Sequence, residues 1–310
     1  MFWSGRHFEF SDIPDMTGKV AIITGSNTGI GKVCAIQMAK KNCHIVVACR
    51  NIEKGQKVVD EINTITGKND GAHCMKLDLL SLAAVKEFAD EFAAKYDTLH
   101  CLMNNAGVMN CPYGVSKDGL EMQFATNHVA HYYLTMLLLP LLEKSAPSRI
   151  INVSSIGHYM TWVSGINYDT LHDEKCYNRF LQYGKSKAAN ILFSRELAKR
   201  LKNKGVDNVY VNSNHPGPVK TELYRHGNFV TRDAVSPFLI TPELGALTQL
   251  YLATSPDVET KNIKGEYYVP YAKLSTPNYY CRSDKNAQEL WDYTEKLLKE
   301  KAPGYQGSHL

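Results

Sequence analysis

The sequence predicts an α/β fold, a doubly wound parallel sheet of the Rossmann type with helices on both faces. Three observations predict it. Short apolar runs alternate with helix-period segments from Lys19 to Val269, the rhythm of parallel strands joined by crossover helices. The first run is followed by a glycine-rich turn that opens a helix, the setting of a phosphate-binding loop. The polar residues with chemical potential follow the ends of the later runs, where ligands bind in such sheets.

Taken in order, Lys19 to Thr24 reads as a buried strand and Ile30 to Lys41 as a helix. His44 to Cys49 and Asn51 to Thr66 repeat the pattern, as do Ala72 to Leu77 and the helix from Ser81 to Tyr96. A fourth strand, Leu99 to Met103, precedes a long helix over Leu120 to Leu142. Arg149 to Val153, a helix over Phe180 to Asn203, and Val209 to Ser213 follow. Pro242 to Thr254 is the next helix and Glu266 to Val269 the last strand. No linker or repeat divides the chain: residues 1–17 are expected to form an arm and residues 18–310 one domain. Two long connections, Ile156 to Arg179 and Glu222 to Ile240, break the rhythm; loops of that length are commonly functional.

Composition excludes several classes. The chain is 44% apolar over 310 residues, enough for a sizeable core. A net charge of +4 without a dense basic block gives no support to a nucleic-acid partner. The longest apolar stretch, Val129 to Leu142, is broken by His131, Thr135 and Pro140, so no transmembrane segment is expected. The arm carries Phe2, Trp3, Phe8 and Phe10 and reads as packed on the domain, with a weak lipid contact as the other reading. Eight scattered cysteines without a C-x-x-C pair suit buried thiols in a reducing compartment, and no metal site is expected. The terminal Ser308-His309-Leu310 resembles a peroxisomal address; the expected location is peroxisome or cytoplasm.

The turn contains Gly25, Asn27, Thr28, Gly29, Ile30 and Gly31. Its glycines let backbone approach a pyrophosphate, and the helix start adds free N–H groups. Arg50 ends the second strand, where an NAD site would carry Asp or Glu. One charge-assisted bond to a 2′-phosphate, about 1.5–3 kcal/mol, favours NADP(H) over NAD(H) roughly 10- to 150-fold; a solvated surface arginine is the bland alternative. Asp78, beside Leu79, could accept from an adenine amino group or cap the following helix.

Tyr183 and Lys187 lie a turn apart on one helix face. Bringing a phenol from about 10 to near 7 takes roughly 4 kcal/mol, the size of one ammonium about 4 Å away at an effective dielectric of 20. Tyr113 and Lys117 share the spacing but have no strand-end serine behind them. Tyr183 keeps different company: Ser154-Ser155, Asn105-Ala106-Gly107, Asn127, and His215-Pro216-Gly217 before Val219 and Thr221. His158 lies near Ser155 without a partner in view and receives no role.

With Cys49-Arg50-Asn51, Asn127-His128 and Ala189 to Leu197, the chain resembles the short-chain dehydrogenase/reductase family, in its retinol-dehydrogenase-like branch, over Gly18 to Val269. The resemblance implies an NADP(H)-dependent oxidoreductase acting on an apolar aldehyde, ketone or alcohol. It makes Tyr183 the acid/base, Lys187 its partner and ribose holder, and Ser155 the group that positions the substrate oxygen. Asn127 would hold a water leading to Lys187. Asn105, Ala106, Gly107, Pro216, Gly217 and Val219 would line the cofactor, with Thr221 or the backbone after Gly217 at its carboxamide. It also implies a homo-oligomer paired through the two long helices. Tyr159, Met160, Trp162, Val163, Tyr177, Phe180, Leu223, Tyr224, Phe229, Val230 and Phe238 are expected in the loops over the substrate. A non-catalytic regulator of the same fold is the rival. A lyase or epimerase fits less well, because only some forty residues follow Val269, too few for a typical second domain.

Overall fold

The computed structural model describes residues 7–162, 164–220 and 239–310. Phe2, Trp3, Val163, Thr221, Leu223, Tyr224, Phe229, Val230 and Phe238 fall outside the described residues. The first elements are β1 (Val20–Thr24), α1 (Gly29–Ala39), β2 (His44–Cys49), α2 (Ile52–Thr66), β3 (Ala72–Lys76), α3 (Leu82–Lys95) and β4 (Cys101–Asn104). Then come α4 (Ala130–Lys144), β5 (Ser148–Val153), α5 (Arg179–Asn203), β6 (Val209–Asn214), α6 (Pro242–Thr254), β7 (Tyr267–Val269), β8 (Lys273–Ser275) and α7 (Asp284–Lys301).

The eight strands form one sheet in the order β3-β2-β1-β4-β5-β6-β7-β8. Every pairing from β3 to β7 is parallel, and β8 closes the edge antiparallel to β7. The order runs outward from β1 in both directions, so a crevice opens beyond the carboxyl ends of β1 and β4. β2 reads His-Ile-Val-Val-Ala-Cys and is buried along almost its whole length, as parallel strands covered on both faces must be. One apolar cluster fills the side of α3, α4, α5 and α7; another fills the side of α1, α2 and α6. Cys34, Cys43, Cys49 and Cys101 are buried free thiols.

Local chemistry sets the helix ends. Asn51 caps α2 by accepting from Lys54 N at 2.8 Å, and Gly67 closes it at φ +66°. Ser81 caps α3 by accepting from Ala84 N, which corrects the capping role considered for Asp78. The long helix expected over Leu120 to Leu142 is divided into a turn at Met122–Phe124, a π-helical stretch at Ala125–Val129, and α4. The widened turn holds Asn127, and such insertions favour functional positions.

β8 and α7 were not expected. In α7, Trp291 lies edge-on to Tyr132 at 5.1 Å and near Phe193 at 6.2 Å between centroids. Arg200 stacks 4.3 Å from the Trp291 ring. α7 thus covers the part of α4 and α5 around Tyr132 and Phe193. Among the described residues, no helix is long and apolar enough to cross a membrane.

Candidate active site

A cavity of about 450 Å³ opens along the carboxyl ends of β1 to β6. Its wall takes Gly25, Asn27, Thr28, Gly29, Ile30 and Gly31 from the first turn, and Arg50, Asp78 and Leu79 from the next two strand ends. Asn105, Ala106 and Gly107 follow β4; Ser155, Tyr183, Lys187, Pro216, Gly217 and Val219 complete the predicted set. Asn127 stands behind this wall, and Thr221 lies outside the described residues.

The turn fits a dinucleotide. Gly25 sits at φ +68°, and a Cβ there would come within 3.0 Å of Ala106. A Cβ at Gly31 would approach Asn105 Nδ2 to 2.5 Å. Thr28 precedes α1 without a side-chain capping bond, so no side chain of the cap competes with an anion for the first-turn N–H groups. Thr24, which the sequence reading missed, ties the two loops together. Its Oγ1 accepts from Asn105 N and Ala106 N at 3.0 and 2.9 Å and contacts His131 Nε2 at 2.9 Å.

Lys54 and Asn51 join Arg50 in the wall, and Lys54 was also missed; one turn into α2, it places a second cation near Arg50. The Thr126 hydroxyl, on another cavity-lining residue, is buried without a hydrogen-bond partner. Asp78 accepts from Leu80 N at 3.1 Å and pairs with Lys117 at 3.7 Å. Tyr113 donates to His172 O, so Tyr113 and Lys117 are occupied elsewhere despite their spacing.

Asn178 starts α5 by accepting from Phe180 N and Leu181 N at 3.1 Å, which points Tyr183 and Lys187 at the cavity a turn later. Lys187 Nζ donates to Val153 O at 2.9 Å and lies 5.7 Å from the centre of the Tyr183 ring. Burial lowers its pKa to about 8. The ammonium expected beside Tyr183 therefore loses its charge just above neutrality, a refinement that spacing could not supply.

Ser155 Oγ accepts from Gly157 N at 3.1 Å. A Cβ on Gly157 would press 3.0 Å from Tyr183 Cε1. One on Gly184 would lie 2.7 Å from Gly157 O and 2.8 Å from Met160 Cβ. Two bare backbones thus let the Ser155 turn and the Tyr183 helix approach; neither glycine was singled out from sequence.

Asn127 uses its amide on structure. Oδ1 accepts from Val108 N at 2.8 Å, and Nδ2 donates to Val108 O and Ser186 Oγ. Its carbonyl receives His131 Nδ1 at 3.2 Å. A Cβ on Gly107 would lie 3.1 Å from Asn127 Oδ1 and 3.4 Å from Lys187 Nζ, so Asn127 backs the wall that Lys187 faces. Of the apolar loop residues, Tyr159, Met160, Trp162 and Phe180 are exposed and lie outside the cavity wall. Tyr177 is engaged by Gln123 Nε2 and Cys111 O.

The short chain dehydrogenase family model matches residues 19–170. Retinol dehydrogenase 11 of Mus musculus is 42% identical over 285 residues, covering 91% of this chain and 87% of that protein. The chain belongs to the short-chain dehydrogenase family. Its sequence relatives place this dehydrogenase in the retinol-dehydrogenase-like branch. The fold agrees: an uncharacterised protein from Mycobacterium paratuberculosis superimposes with a TM-score of 0.77 at 30% identity, over 96% of this chain and 100% of that one. A short chain dehydrogenase from Shigella flexneri 2a, complexed with NADP, shares the fold at a TM-score of 0.63 and 23% identity, over 83% and 98% of the two chains. The family-model match stops before Tyr183 and Lys187, so their place in the cavity wall rests on the geometry alone.

Proposed function

We propose that this short-chain dehydrogenase moves a hydride between NADP(H) and an apolar aldehyde or ketone, or the matching alcohol. The observation that carries the reading is the opening of Ser155, Tyr183 and Lys187 onto the cavity that begins at the glycine turn. Bound NADP(H) supplies or takes up the hydride. Tyr183 gives its phenolic proton to the carbonyl oxygen in reduction and takes the alcohol proton in oxidation; such a positioned group typically supplies about 10²–10⁴-fold. Ser155 Oγ holds the same oxygen. Lys187 holds the nicotinamide ribose and, while protonated, favours the phenolate. Asn127 is a positioning residue: it fixes Gly107 and Val108 against the side Lys187 faces. Arg50 and Lys54 form the seat for a 2′-phosphate, and the absence of a carboxylate at that strand end supports NADP(H). The Shigella relative bound to NADP is in keeping with this.

The test follows NADPH consumption against a panel of apolar aldehydes and ketones, with NADH and Tyr183→Phe in parallel. Turnover with NADPH that disappears in Tyr183→Phe is the expected result. Binding of NADPH without turnover on any carbonyl would favour a non-catalytic regulator instead. Arg50→Asp is expected to weaken NADPH binding roughly 10-fold or more while sparing NADH, as read by cofactor fluorescence titration. Equal losses for both cofactors would remove the 2′-phosphate role.

A further inference from the structure

His158 is fully buried one turn beyond Ser155, and both of its ring nitrogens are engaged. Nδ1 lies 2.7 Å from the Ser155 carbonyl oxygen. Nε2 faces the backbone N–H of Asn278 at 3.2 Å. A backbone N–H only donates, so Nε2 must accept, and Nδ1 must carry the proton. The imidazole is therefore a neutral donor to the Ser155 carbonyl, and burial, which holds its pKa below the ordinary range, keeps it so.

Asn278 belongs to the segment between β8 and α7, 120 residues away. It is itself buried and saturated: Nδ2 donates to His158 O at 2.6 Å and to Thr161 Oγ1 at 3.1 Å, while Oδ1 accepts from Cys281 N. The Tyr159 and Tyr267 rings pack on the imidazole, 4.2 and 5.1 Å between centroids. The 3₁₀ turn that carries Ser155 at its start is clamped to the C-terminal segment through the His158 ring, the His158 carbonyl and the Thr161 hydroxyl.

We propose that His158, held by Asn278, is a positioning residue that fixes the Ser155 carbonyl and so aims Ser155 Oγ at the substrate oxygen beside Tyr183. This rests on the role given to Ser155 above. The bond to the Ser155 carbonyl carries the positioning, while the bond from Asn278 anchors the ring to the C-terminal segment, none of whose described residues lines the cavity.

Three substitutions separate the two bonds. In His158→Asn, the side-chain amide can still donate to the Ser155 carbonyl but does not reach the Asn278 N–H. In His158→Gln, the longer side chain can accept from Asn278 but does not reproduce the donor to Ser155. In His158→Phe, the ring remains and both bonds are lost. The expected result is a kcat at least 10-fold lower in His158→Phe and His158→Gln, with NADPH affinity unchanged, and a kcat within about 3-fold of the parent in His158→Asn despite a lower melting temperature; displacements near 1 Å have effects of this size. If kcat instead follows melting temperature across the three, the bond to Ser155 has no positioning role and the proposal fails. Ser155→Ala is run alongside. If it turns over like the parent, the role of Ser155 itself is wrong; if it is crippled while His158→Phe is not, only the clamp is wrong.

Discussion

Tyr183 is placed by the absence of side chains on its neighbours. Gly184 lies closer to the Gly157 carbonyl than a Cβ allows, and a Cβ on Gly157 would press on the Tyr183 ring at 3.0 Å. Gly157→Ala should therefore shift the ring by a few tenths of an ångström relative to Ser155 and lower the hydride-transfer rate roughly 10-fold, less than the about 100-fold cost of a misplacement near 1 Å. Single-turnover kinetics with saturating cofactor would check it, and an unchanged rate would show that the ring shifts harmlessly. Lys187 makes a different prediction. Burial lowers its pKa to about 8, so its ammonium is intact below that pH and lost as pH rises through it. NADPH affinity of the free enzyme should fall in a one-proton step above pH about 8, because a neutral amine is a weaker donor to ribose hydroxyls. Lys187→Met should bind weakly at every pH with no such step.

The helices do more than cover the sheet. The π-helical stretch at Ala125–Val129 brings the Asn127 amide to Val108 and its carbonyl to His131, which in turn reaches Thr24 below the cofactor turn. One side chain on α4 thus joins the β1 and β4 ends of the cavity. On the other side of the same helix, α7 brings Trp291 into the aromatic group of Tyr132 and Phe193. Trp291 is 3% exposed, and Trp291→Ala should cost about 3–5 kcal/mol. Urea unfolding would measure the loss; a change under 1 kcal/mol would mean that α7 only rests on the surface.

The two ends of the sheet divide the work. At the amino end of β5, Arg149 is buried over the Tyr210 ring and donates to Leu252 O and Ser255 O, with Glu259 as its ion-pair partner. No residue of this group lines the cavity. Arg149→Met removes the donor to Leu252 O, while Ser255 O keeps its bond from Val258 N, and should destabilise the fold by about 1–3 kcal/mol, the cost of one orphaned group. KM for cofactor and carbonyl substrate should not move at temperatures where the variant stays folded. A changed KM would show that the two ends are coupled through the strands. The C-terminal tail is docked as well: Ser308 N donates to Glu295, Arg200 reaches Leu310 O, and His309 lies 3.2 Å from Glu143.

Much of the architecture was legible in the residues. The strand-turn-helix over Val20 to Ala39 and the shared face of Tyr183 and Lys187 depend on neighbours a few positions apart. Backbone preference and periodicity are written at that range. α7 also left a signal, with Ala287, Leu290, Trp291, Thr294, Leu297 and Leu298 at helical spacing behind the Ser283 cap, but what it covers could not be inferred from its own pattern. The remaining features join distant segments. Gly157 and Gly184 matter only because two elements meet there. Thr24 finds Asn105 and His131, and Asn278 finds His158, across 81 to 120 residues. The desolvation that lowers the Lys187 pKa likewise comes from packing around α5. Such contacts are selected by how the layers close on one another, and no local run of residues encodes which buried donor will face which buried acceptor.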